Sequence, residues 1–169
     1  KGDLSMATNK LIVLGLGGAG INASDKALKS LRDLGSGFAD VEFHFMDTSR
    51  NNFDNIEPIG TFYQTKRLAS NDKNVINGAG GDRSGLAAEI LANVPDFLDS
   101  IKLTKRETNT FVCVIASTSG GSGGSGLIGV VDALMEKGIP CFAIIIGDSG
   151  DALKLRNTQA VIATLNHKA

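Results

Sequence analysis

The chain has 169 residues, 42% of them apolar and 21% charged, and carries a formal net charge of −1. That length favours one domain with a real hydrophobic core, and that composition excludes wholesale disorder. The near-neutral balance gives no general electrostatic case for nucleic acid or an anionic membrane, and no apolar run approaches the ~20 residues that span a bilayer.

The unusual count is 21 glycines against three prolines, with thirteen of the glycines in three stretches, 15–20, 78–85 and 120–126. Residues 1–9 are polar and lack the apolar core of a signal peptide. Met6 makes a natural start, so Lys1–Ser5 reads as an artificial leader, and residues 1–9 are expected to lie, disordered or artificial, outside a nucleotide-binding domain over 10–169. Lys10–Leu14 (KLIVL) reads as a short buried strand leading through the first glycine cluster into a helix. Ile21, Ala27, Leu28, Leu31 and Leu34 recur there at helical spacing, and Gly35 supplies a stop. Val41–Met46 is a second strand ending at Asp47-Thr48, and residues 50–75 are polar, a long loop with a short helix or edge strand.

The second glycine cluster precedes a helix with Leu86, Ile90, Leu91 and Val94 on one face, which Pro95 is expected to break or restart. Thr110–Ala116 is a continuous apolar strand, followed by the third cluster and a helix carrying Leu127, Val130, Val131, Leu134 and Met135 up to Gly138. Ile139–Ile146 reads as another fully apolar strand and Asp151–Leu165 as a last amphipathic helix. Strands buried on both faces and alternating with helices predict a doubly wound parallel α/β sheet. Cys113 and Cys141 lie inside strands without CxxC spacing or nearby histidines, so they are expected as buried free thiols, which suits a reducing cytoplasm.

Ligands in doubly wound folds sit at the carboxyl ends of the strands, where all three glycine clusters fall. A helix N-terminus offers unpaired N–H groups and positive potential, and glycine lets a phosphate approach them. One such turn serves packing alone as often as it serves a ligand; three on one edge point to a ligand with several phosphates. Gly15-Leu-Gly-Gly-Ala-Gly20 satisfies GxGxxG, and Asp47 closes the second strand, so an NAD(P)-binding oxidoreductase module is the rival reading. Against it, Asp47 lies 27 residues past Gly20, and the rival leaves Ser119-Gly-Gly-Ser-Gly-Gly-Ser-Gly126 without a role. GxxxxGK[ST] is absent, which excludes ordinary P-loop chemistry.

Taken together, four ordered motifs resemble the tubulin and FtsZ superfamily. Gly15–Asn22 looks like its first nucleotide loop, and Val41–Thr48 like its second strand and Asn/Asp-Thr turn. Gly78-Ala-Gly-Gly-Asp-Arg83 resembles the GAG loop in the shortened form of bacteriophage and plasmid members. Ser119–Ser125 falls where the family has GGGTGTG, and Gly138–Ile144 matches the fifth strand without a gap. The resemblance runs from Lys10 to about Arg156. In the signature, Ser122 replaces threonine, Gly124 the second threonine and Ser125 the last glycine. The chain stops inside the family's fifth helix, before the guanine-stacking central helix, the acidic synergy loop and the second domain, and so reads as a fragment or the ordered part of a longer protein.

The resemblance implies GTP or GDP with Mg²⁺ as ligands, head-to-tail self-association into filaments, and hydrolysis at the subunit interface. It places Gly17, Gly18, Ala19 and Gly20 on the phosphates, Asn22 on guanine or ribose, and Asp47 and Thr48 beside the phosphate and Mg²⁺. Ala79, Gly80 and Gly81 would meet the γ-phosphate, with Arg83 near them. Gly120, Gly121, Ser122, Gly123 and Gly124 would hold the α- and β-phosphates. Arg156 takes the ribose-side arginine position; the matching glutamate position falls on Ala152, with Asp151 the nearest carboxylate. No catalytic acid and no direct protein ligand to the metal is expected within these residues.

Overall fold

The computed structural model describes residues 10–34, 41–54, 56, 61–64, 87–104, 109–147 and 150–167. Among these residues five parallel strands, β1 (Lys10–Leu16), β2 (Val41–Asp47), β3 (Thr61–Gln64), β4 (Thr110–Ser117) and β5 (Cys141–Ile146), form one sheet in the order β3-β2-β1-β4-β5. Among the described residues four α-helices accompany them: α1 (Gly17–Asp33), α2 (Ala87–Ser100), α3 (Gly121–Glu136) and α4 (Ala152–Asn166). This is the expected doubly wound arrangement, with the order reversing between β1 and β4.

Side chains alternate across each strand, so the sheet divides its apolar residues between two layers. Val13, Phe43, Phe45, Cys113 and Ile115 face α1, which adds Ile21 and Leu28. Ile12, Leu14, Leu16, Met46, Val112, Val114 and Ala116 face α2 and α3, which contribute Ile90, Val94, Phe97, Leu98, Leu127, Val130 and Leu134. The register (Leu14 opposite His44 and Val114) keeps these sets level across the central strands.

Several expectations are corrected. Pro95 does not interrupt α2, which runs unbroken through it. Both Pro95 and Leu91, whose carbonyl loses its usual i+4 donor, are exposed, so water can satisfy that carbonyl. The first and third glycine clusters are largely helix rather than loop: α1 begins directly on β1 at Gly17, and α3 takes in Gly121 to Gly126. Leu34 lies past the end of α1 and is exposed, so the core stripe stops at half-buried Leu31. β5 is an edge strand, and Phe142, Ile144 and Ile145 are each 41–53% exposed, contrary to burial on both faces. α4 is likewise only thinly packed, burying Asn157 and Val161 while exposing Leu153, Leu155 and Ile162. Gly35, Leu86, residues 1–9 and the cluster at 78–85 lie outside the described residues.

Candidate functional site: two helix N-termini at the switch point

β1 and β4 are neighbours whose following helices pack on opposite faces, which makes their carboxyl ends the switch point, where doubly wound folds place their ligand crevice. The first turns of α1 and α3 meet there, backbone to backbone. Gly17 has φ +67°, a conformation that L side chains rarely adopt, and a Cβ at that position would stand 2.7 Å from the Gly123 nitrogen. Gly20 and Gly123 also press on the sheet, Gly20 the harder: a Cβ on Gly20 would meet the Ile115 carbonyl at 2.2 Å, and one on Gly123 would meet the Leu16 and Ser117 carbonyls at 3.0 Å. These glycines therefore have a packing reason. Gly120 has none, since a Cβ there would meet nothing within 4 Å.

Neither α1 nor α3 carries an acidic residue in its first turn, and the N-cap of α3, Gly120, makes no side-chain cap. α4 differs, because its N-cap Asp151 accepts a hydrogen bond from the Lys154 N–H at 2.8 Å. The paired ends of α1 and α3 thus carry the positive potential of two helices with no carboxylate of their own helix to neutralise it.

The end of β2 forms one wall. Asp47 and Thr48 are buried, and the Asp47 carboxylate accepts from the Thr48 N–H at 2.6 Å and from the Asn52 amide. The Thr48 and Ser122 hydroxyls are 2.6 Å apart and tie this wall to α3. On the far side, buried Asn157 of α4 donates to the Ser119 carbonyl at 2.9 Å, and Thr118 bonds Thr158 at 3.0 Å. The Ser125 hydroxyl, buried in α3, has no hydrogen-bond partner among the described residues.

Of the expected site residues, Gly17, Gly18, Gly20, Asp47, Thr48, Gly120, Gly121, Ser122 and Gly123 gather at this crevice. Ala19 and Asn22 are exposed on α1, Gly124 is buried in α3, and Asp151 and Arg156 are exposed on α4. Ala79, Gly80, Gly81 and Arg83 lie outside the described residues. Asn52 and Asn157 join the site without having been singled out by any motif; their only signal was an amide side chain near a chemically marked neighbour.

One titratable cluster lies at the opposite ends of the strands. Lys10 Nζ and Glu42 Oε1 are 2.8 Å apart where β1 and β2 begin, and Glu42 Oε2 lies 3.2 Å from His44 Nε2. Burial raises the Glu42 carboxyl, but bonds to Lys10 and His44 outweigh it and leave the group below its ordinary value. Burial pushes the His44 imidazole down against the pull of Glu42. Burial alone raises both thiols, Cys113 and Cys141.

A parallel sheet with strand order 3-2-1-4-5 that reverses between β1 and β4 defines the class, a doubly wound, Rossmann-like α/β fold. Among solved structures the fold is that of the tubulin/FtsZ-type proteins. CetZ2 from Haloferax volcanii, solved as a GTPγS-bound protofilament, superposes with a TM-score of 0.79 at 21% identity, over 95% of this chain and 47% of that one. CetZ1 from the same organism, a GDP-bound monomer, gives 0.76 at 18% identity over 95% and 48%. A TubZ protofilament from bacteriophage PhiKZ gives 0.68 at 22% identity over 93% and 44%. The chain therefore spans less than half the length of these structures. No protein-family model matches the sequence, and no curated protein matches it.

Proposed function

We propose that residues 10–169 form the guanine-nucleotide-binding domain of a tubulin/FtsZ-like GTPase that assembles head-to-tail into cytoplasmic filaments. The observation that carries this reading is the meeting of two helix N-termini without acidic first turns, Gly17 against Gly123, beside the Asp47–Thr48 wall. Phosphates would lie on the backbone of Gly17, Gly18, Gly20, Gly120 and Gly121 and on the Ser122 hydroxyl, with Ala79, Gly80 and Gly81 at the γ-phosphate end. Asn22, Asp151 and Arg156 would serve the nucleoside. The nucleotides and filaments named for the matched structures support the choice of ligand and of self-association.

The donor set also suits Mg²⁺. Among the described residues no three His, Cys, Asp or Glu side chains cluster as metal ligands, while Asp47 and Thr48 bring two oxygen-bearing side chains to the crevice. Mg²⁺ commonly rides on substrate phosphates and keeps several of its waters, so Asp47 and Thr48 would border it without binding it directly, and its charge offsets the phosphates' negative charge. Free thiols at Cys113 and Cys141 agree with a reducing compartment, and no helix among the described residues is long and apolar enough to cross a membrane. The NAD(P) reading leaves the α3 end without a role.

Calorimetric titration of the 169-residue chain with GTP, GDP, ATP and NADH, each with Mg²⁺, tests the proposal. Guanine nucleotides are expected to bind, with slow phosphate release, because no water-activating acid has been assigned within these residues, and without filaments. Tight NADH binding with no response to GTP or GDP overturns the reading. Rapid, concentration-dependent phosphate release overturns its hydrolytic half.

A further inference from the structure

Asn52 sits in the 3₁₀ turn Arg50–Phe53 that follows β2. Its amide lies against the first turn of α1: a Cβ on Gly18 would stand 3.0 Å from Nδ2 and 3.2 Å from both Cγ and Oδ1. One face of that turn is closed by α3 through Gly17 and Gly123, and this amide closes the other. Nδ2 donates to Asp47 Oδ2, while Asp47 Oδ1 is taken by the Thr48 N–H. An amide nitrogen carries two hydrogens, and the second has no partner among the described residues.

From this placement we infer that Asn52 is a phosphate-contacting specificity residue of the proposed nucleotide site. One amide hydrogen holds the Asp47 carboxylate to the wall; the other donates to an oxygen of the nucleotide's β-phosphate lying over Gly18. An amide suits both tasks at once. A carboxylate at this position would put a second negative charge against Asp47 and face the anion, and an apolar side chain would release Asp47 toward it. The inference rests on the nucleotide reading of the crevice and adds a residue to it.

The test compares the wild-type chain with Asn52→Asp, Asn52→Ala and Asn52→Gln, and with Asn51→Asp as a same-turn charge control, in titrations with GTP, GDP and GMP. Thermal melts without ligand establish that each variant is folded, and the alanine and glutamine forms carry the test if the aspartate form is not. Loss of a hydrogen bond to a charged group is worth about tenfold or more in affinity. The expected result is a loss of that size for GTP and GDP in Asn52→Asp and Asn52→Ala, partial recovery in Asn52→Gln, and GMP within about twofold of wild type because it lacks the contacted phosphate. Asn51→Asp is expected to bind like wild type. If wild type binds GTP and the Asn52 variants bind equally well, or GMP weakens in step with GTP, the inference is overturned and the nucleotide reading stands. If wild type binds none of the three, the proposed function fails first.

Discussion

At the scale of single residues, the glycines separate into two kinds that composition alone does not distinguish. Gly20 is required by the sheet, whose Ile115 carbonyl occupies the place of its side chain, while Gly120 stands at the crevice in open space. Gly20→Ala is expected to destabilise the fold by about 2 kcal/mol or more, because the obstructing atom is backbone and cannot rotate away. Gly120→Ala has no such collision and loses only the N-cap preference of glycine over alanine, expected to cost no more than about 1 kcal/mol. Urea denaturation of the two variants measures the difference; equal losses would contradict the assignment. The GxGxxG motif was legible in the sequence, but which of its glycines answer to packing was not, because the colliding atom belongs to a strand about 95 residues away in the chain. Asn52 stayed hidden for the same reason, since its meaning comes from contact with Gly18 across the fold.

Among the elements, the alternation of apolar runs with helical periodicity was enough to read β1, β2, β4, α1 and α3 and to infer a parallel sheet, since both layers of the core are written as 2- and 3.6-residue periods. Helix starts were harder. Glycine is a poor helix former, so Gly17–Gly20 and Gly121–Gly126 looked like loops, and only the close approach of each helix to the sheet explains why helix begins there. Pro95 shows the converse, with local preference outweighed by the packing of Ile90, Val94, Phe97 and Leu98 on either side of it. Restoring the donor should be favourable: Pro95→Ala is expected to stabilise the domain by about 1–3 kcal/mol, read from the shift in its denaturation midpoint. A loss of stability in that variant would mean that α2 needs the proline's shape.

For the molecule as a whole, the apolar surface is unevenly placed. The register sets Phe142 beside Cys113 and Ile144 beside Ile115, on the α1 side of the sheet, yet both phenylalanine and isoleucine are about half exposed, as is Phe111 on β4. The run CFAIII was readable as a strand; its exposure was not, because a sequence records hydrophobicity without saying what stands against it. An apolar edge strand with no outer neighbour among the described residues invites association. The 169-residue chain is therefore expected to self-associate with rising concentration in sedimentation velocity, and Phe142→Lys with Ile144→Lys to remain monomeric with little change in melting temperature. A wild-type chain that stays monomeric throughout the series would contradict this.

The hydroxyl pair Thr48–Ser122 spans 74 positions of sequence. No local folding event can make it: β2 must already lie beside β1, and β1 beside β4, before the two groups come within 2.6 Å. A collapsed or half-zipped chain, however rich in helix, would leave the two hydroxyls apart. Binding of the proposed nucleotide would thus be a stopwatch for refolding: its signal is expected to lag the recovery of far-ultraviolet circular dichroism and to rise only with the last, sheet-closing phase.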